Sequence, residues 1–292
     1  MQLAAGILKF LFFPGLLFTA FCGCLALWLE GRMKTALHKG EGAVPRPARG
    51  GKGEAAVPSP EELVGGALSL GVLGVAGYML LGIRGDLLGL LLLLSEAEVL
   101  PLFLLAGRGV EDAAYVPLAL RTAFARLAII ACAGICVSLR SPGEFAAGLE
   151  TLRGEGAFHA LRLWGGFDLG LMLASFVCAL LAFLAFLVGR PPCSRLIEGK
   201  AVGGLRGTYF LVAEGAERAV TLIFFIVLFL GYPWEGAGGV LLWAGAAGGV
   251  ALLALALRAW VEGRDPVTLR KRQEAAALAA LLALALAFAA VV

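Results

Sequence analysis

Apolar runs of about twenty residues recur along almost the whole chain, and that length is what an α-helix needs to cross a bilayer core of about 30 Å. They fall at roughly 4–29, 63–83, 86–106, 115–139, 168–189, 215–231, 237–260 and 275–292. The 292 residues are 60 % hydrophobic and only 15 % charged, with a mean hydropathy of +0.91. A water-soluble domain of this size cannot enclose so much apolar surface. The expected fold is therefore all-α: a polytopic membrane helix bundle of about eight transmembrane helices with short amphipathic helices. It forms a single transmembrane domain over residues 1–292. The first segment, Leu3–Leu29, is too long for a secretory signal, has no small-residue cleavage site and runs into Glu30 and Arg32, so a retained helix is expected.

Lysine and arginine placement sets the orientation. The loops after the odd-numbered spans, with the helix ends beside them, hold Arg32, Lys34, Lys39, Arg46, Arg49, Lys52, Arg108, Arg190, Arg195, Lys200, Arg206, Arg218, Arg258, Arg264, Arg270, Lys271 and Arg272. The other side holds Lys9, Arg84, Arg140, Arg153 and Arg162. Both termini are thus expected outside, in a prokaryotic inner membrane, with the basic loops in the cytoplasm. Three connections exceed what a hairpin needs. Gly40–Pro60 is rich in glycine and proline. Pro142–Phe167 reads as one or two amphipathic helices at the outer interface. Arg190–Glu214 is polar, glycine-punctuated and reads as a loop. No internal repeat is visible, which weighs against an inverted-repeat transporter.

Charges inside the apolar runs mark the candidate sites. Glu96 and Glu98 lie in the third span, and an ionised side chain at such depth costs about 3 kcal/mol or more unless paired, wetted or protonated. Arg126 lies at a similar depth in the fourth span. Pairing it with one glutamate leaves the other free to take up a proton; a fixed ion pair that only locks two helices is the competing reading. A second cluster, Glu198, Lys200, Arg206, Tyr209, Glu214, Glu217 and Arg218, precedes the apolar run Val220–Gly231. Glu214 and Arg218 are spaced i, i+4 and can pair along one helix face. Here the choice is between an ordinary solvated helix end and carboxylates at the mouth of a path. Asp168, opening the fifth span, reads equally as an exit group or as a charge favoured by the helix dipole.

Much chemistry is excluded. There is no phosphate-binding loop, dinucleotide fingerprint, Ser-His-Asp set or cysteine cluster motif, so hydrolytic or redox chemistry within the chain is not expected. The six cysteines read as small apolar helix residues, and His38 and His159 as isolated surface groups without a metal partner. Trp28, Trp164, Trp234, Trp243 and Tyr232 read as interfacial anchors. No nucleic-acid partner is expected.

The order of these elements resembles the complex I subunit 1 family, the heel membrane subunit of respiratory complex I and of membrane-bound nickel–iron hydrogenases and formate hydrogenlyase. Glu30-Gly31-Arg32 and the basic loop after it are similar to the family's E-R-K/R helix end. Gly107–Arg121 resembles its G-x-S-N-x…L-x-A-x-R passage. Arg190-Pro191-Pro192, with Glu198 and Gly204, is similar to its R-x-P-F-D…E-x-x-x-L-V-A-G loop, and Glu214-Gly215-Ala216 to its E-Y-S-G element. The chain departs from the pattern at Cys193-Ser194, where the family carries Asp, at Lys200, near a second acidic position, and at Ile129-Ile130, where a glutamate is usual. Its short loops are closer to the hydrogenase-type members.

The resemblance implies a non-catalytic membrane subunit that anchors a hydrophilic redox arm and couples its electron transfer to proton or sodium translocation. Arg32, Arg190, Arg195, Lys200 and Arg206 would dock hydrophilic iron–sulfur and hydrogenase-like large subunits. Glu198, Glu214 and Glu217 would couple, and Glu96, Glu98 and Arg126 would pass ions onward to antiporter-like membrane subunits. This chain would bind no cofactor itself; iron–sulfur clusters, and a nickel–iron site or quinone, would belong to or lie at the partners. The competing expectation is a stand-alone proton-coupled secondary transporter.

Overall fold

Helix is the only regular structure among the described residues, which in this computed structural model are 8, 11–12, 16–37, 60–81, 89–94, 96, 125–131, 169–188, 204–231, 236–261 and 266–291. Six helices are bounded: α1 (Leu16–Leu37), α2 (Pro60–Leu81), α3 (Leu169–Val188), α4 (Gly204–Leu230), α5 (Gly236–Val261) and α6 (Pro266–Val291). Residues 89–94 and 125–131 are two further helical stretches. Among the described residues two helices, over Leu16–Met33 and Gly236–Ala259, are long and apolar enough to cross a membrane, and only 22 % and 17 % of these windows is buried. Shorter apolar stretches lie in α2, α3 and α6, at Ala67–Leu80, Leu173–Leu184 and Glu274–Leu286.

Three boundaries differ from those expected. The first helix, α1, begins at Leu16, and upstream of it Leu8 and Leu11 are helical while Phe12 forms a bend, so the span expected from residue 4 is interrupted at Phe12. Pro14 lacks the N–H that would continue the upstream turn, in which Phe12 N–H donates to the Leu8 carbonyl at 2.9 Å. The fourth begins at Gly204 and not at 215, so half of the connection read as a loop is helical and Arg206, Tyr209 and Glu214 belong to α4. The sixth begins at Pro266 and not at 275, because proline is well suited to a first helical position. The expected loops at 40–59 and 142–167 lie outside the described residues, as do His38, His159, Trp164, Tyr232 and Trp234.

The chain divides into two compact units. The first holds α1, α2 as far as Tyr78 and α4 as far as Val220. Within it, Gly74 of α2 lets Leu16 approach: a Cβ placed on Gly74 would lie 3.0 Å from Leu16 Cδ1. Gly23 of α1 and Gly215 of α4 face each other even more closely, which positions the site described below.

The second unit holds α3, the end of α4, α5 and α6, and its packing is built from small residues and phenylalanine. α6 lies along α3. Ala276, Ala280 and Ala283 are buried at i, i+4 and i+7, while Leu278, Leu281 and Leu282 are 68, 55 and 53 % exposed. α5 likewise buries Ala247, Ala254 and Ala259 and exposes Leu241, Leu242, Leu252 and Leu253. A helix in water would turn its leucines inward; small residues in and leucines out is the arrangement that a hydrocarbon solvent favours. Phe183, fully buried, packs on Phe224, Phe225 and Phe229 with ring centroids 5.5, 5.2 and 6.0 Å away. Gly231 and Gly236, at φ of 72° and 81°, bracket the connection from α4 to α5, and the Trp243 indole N–H donates to the Gly231 carbonyl at 2.9 Å.

One polar contact crosses the α3–α6 seam: Ser175 Oγ donates to the Ala283 carbonyl at 2.8 Å, fully buried. Ser175→Ala is expected to cost about 0.6 kcal/mol, the average for a hydrogen bond between membrane helices, because the alanine still fits the seam. Unfolding of the intact chain in mixed micelles by added dodecyl sulfate measures this; a loss several times larger would assign Ser175 more than one bond.

Candidate functional site

The α1–α4 crossing brings together three charged side chains in the first unit. Glycine at both 23 and 215 removes the side chains that would hold the two backbones apart. A Cβ on Gly215 would lie 2.9 Å from the Gly23 carbonyl carbon and 3.0 Å from Leu27 Cδ1. Two turns beyond Gly23, α1 presents Glu30, and one turn beyond Glu214, α4 presents Arg218. Arg218 Nη1 donates to Glu30 Oε2 and Nη2 donates to Glu214 Oε1. The guanidinium thus bridges two carboxylates, one on its own helix at i, i+4 and one 188 residues away in sequence. The Glu30 side chain is 2 % exposed, Arg218 10 % and Glu214 18 %.

Charge pairing defines what this arrangement can do. Two carboxylates share one guanidinium in a poorly hydrated place. Removing ions from water is costly, and the charge-assisted hydrogen bonds to the guanidinium offset that cost. The Arg218 Nε–H, also buried, has no acceptor among the described residues, which leaves one donor of the fork available to a further polar group. A guanidinium shared by carboxylates of two helices ties those helices together and can exchange one carboxylate for the other. Among the described residues no three His, Cys, Asp or Glu side chains gather as metal ligands do.

The other expected site residues are placed as follows. Glu217 is half-buried on α4, in the same turn as Arg218. Glu96 belongs to the first unit and is exposed. Arg126 belongs to the second unit, where it is buried beside Ile129 and Ile130 on the 125–131 stretch. Arg206 lies on α4. Arg32 is exposed at the end of α1, its Cζ 5.4 Å from the centroid of the Trp28 ring. Glu98, Asp168, Glu198, Arg190, Arg195 and Lys200 lie outside the described residues. Arg218 and Arg258, counted with the cytoplasmic loop charges, are instead helical and largely buried. Arg258 sits in the last turn of α5, where a cation opposes the helix dipole favourably. Cys22, Cys24 and Cys178 are free thiols on helices, Cys22 and Cys178 half-buried and Cys24 exposed.

Sequence reading missed Glu30 as a site residue, treating it as the marker of a helix end. The available signal was a lone carboxylate closing a long apolar run, with an arginine in another apolar helix to answer it. No protein-family model matches the chain, and no curated protein matches it.

Proposed function

We propose that the chain is a multi-pass membrane subunit of the complex I subunit 1 type, which anchors a hydrophilic redox arm and couples its electron transfer to proton or sodium translocation. The observation that supports the coupling is the buried Glu30–Arg218–Glu214 cluster, in which one guanidinium bridges carboxylates from two helices. Support for the membrane setting comes from α5 and α6, whose leucines face outward and alanines inward. Eight spans with both termini outside accommodate the apolar runs and put the basic loops on the cytoplasmic side, where Arg190, Arg195, Lys200 and Arg206 would meet the arm. In this reading the cluster responds to the redox state of the arm, and Glu217, Glu96, Glu98 and Arg126 continue the path.

The test is isolation of the tagged chain from its native membrane, followed by reconstitution. Iron and acid-labile sulfide are expected to co-purify with it, and redox-driven proton uptake into vesicles to fall at least ten-fold in Glu30→Gln/Glu214→Gln while the partners stay bound. A chain that isolates alone and moves protons unaided would overturn the redox role in favour of a secondary transporter. Unchanged uptake in the double variant would remove the cluster from the path.

A further inference from the structure

The outward face of α1 changes its chemistry in a fixed order. Leu17, Phe21, Leu25 and Trp28 are 52, 67, 45 and 57 % exposed, and Arg32 is exposed after them. Spacings of four, four, three and four residues put all five on one side of the helix. Gly31, beside Arg32, adds no bulk: a Cβ there would meet nothing within 4 Å. From Leu17 to Trp28 the helix rises about 16 Å, close to the hydrocarbon thickness of a single leaflet. Aliphatic surface, then an indole, then a guanidinium is the sequence of environments met on moving from acyl chain to headgroup.

Arg32 is also held ready. Its Cζ lies 5.4 Å from the Trp28 ring centroid, a cation–π contact. A guanidinium held at an aromatic ring keeps N–H groups available at its edge, which suits paired bonds to phosphate oxygens. The sequence that follows adds charge of the same sign: Arg32–Lys52 contains six basic residues and one acidic residue, Glu41. Basic clusters immediately after a membrane helix favour anionic lipid.

We propose that Trp28 and Arg32 bind the phosphate of an anionic phospholipid, whose acyl chains lie along Leu25, Phe21 and Leu17. A lipid fits all five positions with one molecule, apolar part to apolar part and anion to cation. The inference rests on the membrane part of the function proposed above and not on redox coupling.

Reconstituting the full chain into vesicles that contain a minor fraction of lipid brominated on its acyl chains tests it. Bromine quenches a tryptophan that it touches, and the Trp28 share is the difference between the wild-type chain and Trp28→Phe. Brominated phosphatidylglycerol is expected to quench that share about five-fold more than brominated phosphatidylcholine at equal fraction. Arg32→Gln, a change at an exposed position with helicity as its control, should bring the two lipids to parity. Arg32→Lys should keep part of the preference, and excess inorganic phosphate should leave it intact. Equal quenching in the wild-type chain, no effect of Arg32→Gln, or competition by free phosphate would each overturn the proposal. Silence at Trp28 while other tryptophans are quenched would also overturn it, since a protein would then cover the face. If no tryptophan is quenched, the membrane reading fails with it.

Discussion

Arg218→Met is expected to destabilise the chain by about 3–5 kcal/mol, the typical cost of removing one partner from a buried ion pair. The size of the effect follows from what stays behind. Glu30, 2 % exposed, and Glu214, 18 % exposed, would both lose the guanidinium they share and face an apolar side chain in its place. Methionine fills most of the arginine's volume, so lost packing contributes little to the change. Adding Glu30→Gln and Glu214→Gln to Arg218→Met should recover most of the loss, since amides carry no charge to strand. Dodecyl sulfate unfolding in mixed micelles, followed by circular dichroism, reads both results. Wild-type stability in Arg218→Met would mean that water reaches the carboxylates freely, and the coupling role argued for the cluster would lose its basis.

Gly215→Leu acts on the same crossing through shape. The first added atom would lie 2.9 Å from the Gly23 carbonyl carbon, and backbone cannot swing aside as a side-chain tip can. The two helices must separate, which draws Glu30 away from Arg218 as well. Overpacking alone costs about 1–3 kcal/mol, and the lost ion pair adds to it, so a total of at least about 3 kcal/mol is expected. Gly245→Leu supplies the comparison: on α5 an added Cβ meets nothing within 4 Å, and stability should stay within about 0.5 kcal/mol of wild type. Equal effects at the two glycines would show that the α1–α4 approach is not what glycine secures at position 215.

How far the sequence disclosed this structure depended on the sharpness of its borders. α3 spans Leu169–Val188 against an expected 168–189, and α5 spans Gly236–Val261 against 237–260, because polar or glycine-bearing segments end those apolar runs abruptly. α4 and α6 were read short at their N-terminal ends, where hydropathy falls but helix formation does not. Arg206, Leu205 and Leu211 in the one, and Arg270, Lys271, Arg272 and Glu274 in the other, are good helix formers whatever solvent surrounds them. The site divided in the same way. Glu214 with Arg218 was legible because i, i+4 spacing is local geometry. Glu30 was not, since its partner lies 188 residues away and no periodicity within α1 points to α4. Glu96 drew attention through its apolar neighbours, yet its side chain is exposed, and hydropathy alone does not say which way one residue of a helix turns.

The indole bond from Trp243 to the Gly231 carbonyl has a consequence for how the chain is made. A helix end that enters oil with an open carbonyl must carry hydration with it or find a donor. Here the donor is seven residues into the following helix, so this bond forms only when α5 has folded back against the end of α4. The bond therefore ties the end of α4 to the body of α5, and a chain stopped before Trp243 would leave the Gly231 carbonyl without this donor.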